Sequence, residues 1–280
     1  MIILRKNTDL INYLSTQTIA GKNWGFVPTM GALHQGHLSL ISKANKVNDF
    51  VVCSIFINPT QFNDPKDFEK YPVTIEQDIF LLEKAGCDLL FLPNVGEMYP
   101  EGQQAPMHFE LGTLETVLDG KYRPGHFQGV CQVVYRLLNI VQPACLYLGQ
   151  KDYQQCLVLK KMAGLYFPTV QIIICATERE TSGLAMSSRN TRLTEQQKQQ
   201  AVKIYTQLKQ LCNTITPGNI VALKQQAVQK LTTDGFSVDY VEMANLQSLE
   251  LLDEWDGKKD LVILIAAFLG EVRLIDNLIK

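Results

Sequence analysis

Residues 24–58 read WGFVPTMGALHQGHLSLISKANKVNDFVVCSIFIN, and this stretch decides the fold class. Its first five residues form a short apolar run that ends at a proline, which predicts a buried strand. Helical spacing of apolar residues follows over about residues 36–47, with Leu38, Ile41 and Val47 on one side. VVCSIFIN (51–58) is a second apolar run. A strand, a helix and a strand in about 35 residues predict a right-handed βαβ unit of parallel sheet.

The same alternation continues to residue 176. Helical patterns cover residues 75–85, 128–141 and a segment after Asp152, and the apolar runs that follow them cover 88–93, 144–149 and 170–176. Five strands that alternate with helices predict an α/β domain, a Rossmann-like doubly wound parallel sheet over residues 1–176.

The pattern then changes. Two polar helices are predicted near residues 195–212, with Thr194 as the cap, and 217–233. Three β-rich segments follow: FSVDYVEMA (236–244), DLVILIAAFLG (260–270) and VRLIDNLI (272–279). The sequence therefore predicts a second, smaller α+β domain over residues 177–280, reached through a polar stretch at 178–190.

Composition limits the possible partners. The net charge is -2, with 46% hydrophobic and 19% charged residues, which argues against general binding to nucleic acid or an anionic membrane. MIILRKNTDL at the start lacks a signal-peptide core, and the longest apolar run, Leu261–Leu269, is about half of the ~20 residues that a membrane span needs. Seven single cysteines without a CxxC pair fit a reducing compartment. We expect a soluble, cytoplasmic protein.

The loop after the first of these strands carries the clearest chemical signal. Thr29–His37 leaves a parallel strand at its carboxyl end and enters a helix, where such folds bind ligands. The free N–H groups and the dipole of the helix suit a phosphate, and His34 and His37 can add two donors. Two surface histidines and a zinc pair are the alternatives, although no nearby Cys, Asp or Glu completes a zinc ligand set.

Five motifs occur in order between about residues 20 and 195. They are FVPTMGALHQGH (26–37), FINPTQF (56–62), KYRPGHFQGV (121–130), LGQKDYQQ (148–155) and GLAMSSRN (183–190). Together they resemble the pantothenate synthetase (pantoate–β-alanine ligase) family of the HxGH nucleotidyltransferase-like superfamily. DYVEMA and VILIAAFLGEVRLIDN in the second domain are also similar to that family.

The resemblance implies roles for individual residues. The implied ATP contacts are Met30, Gly31, Ala32, Leu33, His34, Gln35, Gly36, His37, Gly149, Gln150, Lys151, Asp152, Glu178, Met186, Ser187, Ser188 and Arg189. The implied catalytic residues are His37, His34 and Lys151, which would stabilise phosphate charge. Gln61 and Gln155 would bind pantoate, and Gln61 would also border β-alanine.

Several of these residues can also be interpreted without a functional role. Gln61 can be an ordinary loop amide after Asn58-Pro59, and Lys151 a solvated loop lysine. The SSRN stretch (187–190) is also an acceptable polar linker. Asp78 is a possible Mg²⁺ contact, or else an exposed acid on a helix.

The sequence departs from the family pattern at two positions, and one further segment receives no chemical role. Ser182 stands where the family commonly has an aspartate, which leaves local hydrogen bonding in doubt. Glu178 stands where an apolar residue is common, which adenine binding tolerates if the contact is through backbone. KYRPGHF (121–127) can be a mobile flap, and neither Arg123 nor His126 receives a chemical step.

The implied activity is the AMP-forming joining of (R)-pantoate to β-alanine through pantoyl adenylate, with Mg²⁺ accompanying ATP. The resemblance also implies a homodimer and a second domain that closes over the active site. The alternatives are another HxGH nucleotidyltransferase, acting on a phosphorylated cofactor precursor, and a non-catalytic nucleotide sensor with the same fold.

Overall fold

A computed structural model of the 280-residue chain describes residues 1–63, 65–102 and 107–280. The chain divides into two compact units. The first comprises Met1–Gly149 and Gln155–Ala176, and the second comprises Gln150–Gln154 and Thr177–Lys280.

A six-stranded parallel sheet forms the centre of the first unit. Its strands are β1 (Ile2–Leu4), β2 (Trp24–Thr29), β3 (Phe50–Ile55), β4 (Leu89–Phe91), β5 (Cys145–Gly149) and β6 (Gln171–Cys175). Their spatial order is β1-β4-β3-β2-β5-β6. The α/β, doubly wound class predicted from the sequence is confirmed, and the five predicted strands are all present.

Helices and short turns of helix connect these strands. They are α1 (Asn7–Ile19), α2 (Gln35–Asn45), α3 (Pro65–Glu69), α4 (Ile75–Lys84), α5 (Val95–Met98), α6 (Asp119–Tyr122), α7 (His126–Val141) and α8 (Tyr153–Tyr166). Single 3₁₀ turns cover Pro59–Gln61, Gly112–Glu115 and Gln150–Asp152. One prediction was wrong in detail: α2 ends at Asn45, and Val47 is exposed and not part of its buried side.

The strand β1 and the helix α1 were not predicted. Residues 2–4 supply only three apolar positions, and they pair with β4 at the edge of the sheet. An edge strand of three residues has too short a run for its period to be recognised.

The strand order places β2 at the point where the chain changes direction. From β2 the chain moves outward to β3 and β4, and it later returns to the other side of β2 to form β5 and β6. Phe26 pairs with Val52 on one side and with Leu146 on the other. The carboxyl end of β2 is therefore at the switch point where parallel folds bind their ligands.

Buried apolar side chains pack on both sides of this sheet. The predicted apolar side of α7 is confirmed, since all its members are buried: Val130, Val133, Val134, Leu137, Leu138 and Val141. Ile41 and Ala44 of α2 pack with Val27 and Cys53 of the sheet.

The second unit is built on antiparallel sheet. Its strands are β7 (Gly218–Asn219), β8 (Ser237–Asn245), β9 (Glu254–Trp255), β10 (Leu261–Leu269) and β11 (Val272–Ile279), and its helices are α9 (Glu195–Thr214) and α10 (Val221–Thr233), with a 3₁₀ turn at Ser188–Arg192. The large sheet has the order β11-β10-β8, and β7 pairs with β9. Thr194 caps α9 in a capping box with Gln197, as predicted.

The apolar sides of α9 and α10 pack on the three-stranded sheet. Leu208 and Leu231 belong to the same buried cluster as Met243, Ile263 and Ile265. All seven cysteines have free thiols, and six of them are buried. Among the described residues, no helix has the length and apolar character needed to cross a membrane.

Candidate active site

The loop between β2 and α2 is held in an unusual backbone conformation. Gly31 and Ala32 have φ of 82° and 49°, in the left-handed region that favours glycine. The carboxylate of Asp78 in α4 accepts the N–H of Ala32 at 2.9 Å and that of Leu33 at 2.8 Å. The Thr74 hydroxyl donates to the same carboxylate at 3.1 Å. Asp78 therefore fixes the loop in this conformation.

These contacts correct the expectation that Asp78 is an exposed helical acid. Its side chain is completely buried. Both of its oxygens accept protein hydrogen bonds, from the two loop N–H groups and from Thr74. Within the described ranges 1–63, 65–102 and 107–280, no group of three His, Cys, Asp or Glu side chains is placed to hold a metal ion.

His34 and His37 form a reciprocal pair at the start of α2. His34 is the N-cap, and its Nδ1 accepts the N–H of Gly36 at 3.1 Å. The Nδ1 of His37 accepts the N–H of His34 at 3.3 Å, and the ring centroids are 4.1 Å apart. Because Nδ1 is an acceptor in both rings, the proton of each neutral ring is on Nε2. Both histidines can therefore donate a hydrogen bond from Nε2–H while the ring is neutral.

The turn after β3 brings Gln61 next to this loop. Asn58, which is 1% exposed, donates to the Gln61 Oε1 at 3.2 Å and to the Gly129 carbonyl at 3.1 Å. The Gln61 amide nitrogen lies 2.9 Å from the Met30 sulfur. Two residues with separate predicted ligands, Gln61 for pantoate and Met30 for ATP, are thus in contact.

The KYRPGHF segment, for which the sequence allowed a flap, packs against the same turn. His126 is buried, and its Nδ1 donates to the Gln61 carbonyl at 2.7 Å. The Arg123 guanidinium donates to the other ring nitrogen of His126 at 3.0 Å. His126 therefore holds the main chain of Gln61, a contact that sequence analysis missed because the two residues are far apart in the chain.

Gln155 is placed differently from Gln61. It is half-buried in the first turn of α8, shortly after β5. No hydrogen bond joins Gln155 to Gln61 in the part of the chain that the structure describes. The structure thus brings Gln61 and Met30 into direct contact.

Within the second unit, Gln150–Asp152 form a 3₁₀ turn directly after Gly149. The Lys151 side chain is only 18% exposed, and its ammonium lies 3.9 Å from the Asp152 carboxylate. The interpretation of Lys151 as an ordinary solvated lysine is therefore wrong. The Asn277 amide holds the backbone of this turn by donating to the carbonyls of Gln150 and Lys151, both at 2.9 Å.

The segment after residue 176 folds back on itself. The N–H of Met186 donates to the Glu178 carbonyl at 3.0 Å. Ser182 Oγ accepts the N–H of Leu184 at 3.3 Å. A serine at this position therefore still supplies a local acceptor, which resolves the doubt raised by the missing aspartate.

The Met186–Arg189 stretch is structured and not a loose linker. Ser187 caps the 3₁₀ turn by accepting the N–H of Arg189 at 3.3 Å. Asn190, which is buried, donates to the Ala185 carbonyl at 3.0 Å. Two hydroxyls and a guanidinium in a fixed turn are suitable groups for binding phosphate.

Comparison with known proteins agrees with these features. Residues 2–279 match the family model described as Pantoate-beta-alanine ligase. A pantothenate synthetase from Cytophaga hutchinsonii is 42% identical over 283 residues, covering 100% of this chain and 99% of the relative. One from Alcanivorax borkumensis is 47% identical over 261 residues, covering 92% and 90%.

Solved structures give the same result. The pantothenate synthetase of Thermus thermophilus matches with a TM-score of 0.87 and 38% identity, covering 99% of each chain. The pantoate-beta-alanine ligase of Francisella tularensis, solved in complex with beta-gamma ATP and beta-alanine, matches with a TM-score of 0.84 and 38% identity, covering 99% of this chain and 97% of that one. With the family model matching almost its whole length, this chain belongs to the pantoate-beta-alanine ligase family.

Proposed function

We propose that this chain condenses (R)-pantoate with β-alanine in an ATP-dependent, AMP-forming ligase reaction that produces pantothenate. In the first step a pantoate carboxylate oxygen attacks the α-phosphorus of ATP, which gives pantoyl adenylate and releases pyrophosphate. In the second step the β-alanine amine attacks the acyl carbon, and AMP leaves.

The first step needs positioning and positive charge more than it needs a base. A carboxylate is already ionised at neutral pH, whereas negative charge grows on the departing pyrophosphate. The His34–His37 pair at the N-terminus of α2 carries this proposal, because both rings can present Nε2–H donors beside the free N–H groups of a helix. An anion is the ligand that this arrangement suits.

The amide of Gln61 suits pantoate for a different reason. A neutral amide can donate to the substrate's oxygens without competing with its carboxylate as a nucleophile. Its contacts with Asn58 and with Met30 of the loop support a pantoate position next to the reacting phosphate. We assign Gln155 to pantoate and the β-alanine contact to Gln61 on the family resemblance.

The remaining ATP contacts are proposed on the same basis. Lys151 and His37 would stabilise the departing pyrophosphate, with Asp152 on the ribose hydroxyls. Met186–Arg189 and the backbone of Glu178 would add further nucleotide contacts. Mg²⁺ arrives with ATP as part of the substrate, and its charge adds to that of the protein donors.

A single-turnover assay with ATP and pantoate, but no β-alanine, tests the reaction. We expect stoichiometric pyrophosphate and retained pantoyl adenylate, followed by AMP and pantothenate when β-alanine is added. ADP and inorganic phosphate would instead indicate an acyl-phosphate mechanism and would overturn the proposal. Omission of each substrate in turn identifies the specific requirement for pantoate.

We also propose that the chain acts as a homodimer in the cytoplasm, an assignment that rests on the resemblance to the family. Its seven free thiols fit a reducing compartment. Light scattering during size exclusion measures the oligomeric state, and a mass of one chain would contradict the dimer.

A further inference from the structure

Asn277 lies in β11, far along the chain from the residues assigned to ATP, but it contacts the turn that carries Lys151 directly. Its side-chain amide donates to the carbonyls of Gln150 and Lys151, each at 2.9 Å. Its Oδ1 accepts from the Gln150 side-chain amide at 3.2 Å. All of these residues belong to the second unit, so one asparagine makes three hydrogen bonds to a turn of the same unit.

Asn277 is itself held firmly. The Asp276 carboxylate accepts the N–H of Asn277 at 2.8 Å. Arg179 makes a two-point ion pair with Asp276, at 2.6 and 2.9 Å, and its guanidinium lies 3.8 Å from the centre of the Tyr205 ring. Asp276 and Asn277 are 5% and 2% exposed. Hydrogen bonds to charged groups in such a buried place restrict movement strongly.

The network therefore joins two segments proposed to bind ATP. Arg179 follows Glu178 in the chain, and it also donates to the Gly183 carbonyl at 3.2 Å. Asn277 reaches the turn of Lys151. A side chain that stabilises growing charge is effective only if it is positioned before the reaction, and a buried, fully bonded asparagine supplies such positioning.

We infer that Asn277 is a positioning residue for Lys151, and that it supports adenylate formation without touching a substrate. This inference rests on the proposed function, because it assigns to Lys151 the stabilisation of pyrophosphate. Its chemistry is specific: both Asn277 N–H donors are used on main-chain carbonyls, so an aspartate of the same shape cannot replace it.

The test compares Asn277→Asp and Asn277→Ala with wild type in single turnover. Displacement of a catalytic group by about 1 Å costs about 10²-fold, so adenylate formation should slow by up to that factor. The second half-reaction, started from supplied pantoyl adenylate and β-alanine, should keep its rate within about threefold, because no pyrophosphate leaves there. The double variant Asn277→Ala, Lys151→Ala should be no slower than Lys151→Ala alone, since both changes remove the same donor.

Lys224→Met is the matched control. Lys224 is also buried in the second unit and also makes three hydrogen bonds, to Glu242, Asp253 and the Leu252 carbonyl. Its loss should lower the melting temperature and leave both half-reactions at wild-type rates. Should Asn277→Ala fail to fold, Asn277→Ser, which keeps one hydroxyl donor and adds no buried charge, decides the question.

Several outcomes would overturn the inference. They are a wild-type rate of adenylate formation in a folded Asn277 variant, equal slowing of both half-reactions, and losses that multiply with that of Lys151→Ala. Failure of the proposed function itself would look different, since wild type would then release no pyrophosphate from ATP and pantoate.

Discussion

The Oδ2 atom of Asp78 lies 2.9 Å from the backbone nitrogen of Ala32, a residue in the left-handed backbone region. A non-glycine residue with positive φ persists only where its surroundings fix it. The buried carboxylate supplies that restraint, and it does so directly before the His34–His37 pair.

Replacing this carboxylate should therefore disturb both stability and catalysis. In Asp78→Asn one acceptor becomes a donor facing a backbone N–H, so we expect a stability loss of about 1–3 kcal/mol. Adenylate formation should slow by up to about 10²-fold, because the loop is displaced. Glu76→Gln, an exposed change in the same helix, should have no effect. Urea unfolding and single-turnover kinetics measure the two effects.

A magnesium titration separates the two roles considered for Asp78. If the carboxylate anchors the loop, excess Mg²⁺ leaves the slow rate of Asp78→Asn unchanged. Recovery of the wild-type rate at high Mg²⁺ would instead make Asp78 a metal ligand.

The assignments of His37 and Lys151 predict a selective loss. Removal of one preorganised donor typically costs about 10²–10³ in rate, or about 3–4 kcal/mol. His37→Ala and Lys151→Ala should each slow adenylate formation by that factor while retaining the fold. The second half-reaction, with supplied pantoyl adenylate, should change less. Single-turnover rates for each half-reaction measure this, and a mutant that loses only the second step contradicts the assignment of that residue.

Gly129 in α7 predicts a steric effect on the Gln61 turn. A Cβ at this position would lie 2.3 Å from the Thr60 carbonyl oxygen and 2.8 Å from the Gln61 Cα. Gly129→Ala should force the turn away, and overpacking of this kind costs about 1–3 kcal/mol. We expect kcat/KM for pantoate to fall by about 10- to 100-fold.

Gly164→Ala is the control for this change. It is also a helical glycine, but nothing lies within 4 Å of its added Cβ. It should stabilise the protein by about 0.5–1 kcal/mol and leave the kinetics unaltered. Equal kinetic effects of the two substitutions would show that the Gln61 turn is not the cause.

The buried thiol of Cys131 predicts a pH dependence of stability. Burial, with a smaller contribution from Glu115, raises the pKa of Cys131 from 9.0 to about 12. In the unfolded chain the thiol ionises above pH 9.0, whereas in the folded protein it stays protonated, so its contribution to stability falls as pH rises from 9.0 towards 12.

Alanine at position 131 has no group that ionises, so its contribution to stability does not change over this pH range. The destabilisation caused by Cys131→Ala should thus be smaller at about pH 10.5 than at about pH 8, by about 2 kcal/mol. Urea unfolding of both proteins at the two pH values provides the measurement. A difference that stays constant with pH would mean that the folded thiol titrates normally.

Local patterns in the sequence determined most of the secondary structure. Continuous apolar runs placed the central strands, the period of 3.6 residues placed the helices, and Thr194 marked the start of α9. These signals are carried by residues that are neighbours in the chain. The pattern did not predict β1, because its apolar run is only three residues long. It also extended α2 to Val47, although the helix ends at Asn45.

The five motifs also identified the family and the HxGH loop from the sequence alone, since they are contiguous segments. The tertiary structure alone decided what holds these segments in place. The Leu33 N–H reaches Asp78 across 45 residues, the Gln61 carbonyl reaches His126 across 65, and the Lys151 carbonyl reaches Asn277 across 126. A hydrogen bond between distant residues leaves no periodic signal, because its geometry exists only after sheet pairing and packing have brought the two segments together.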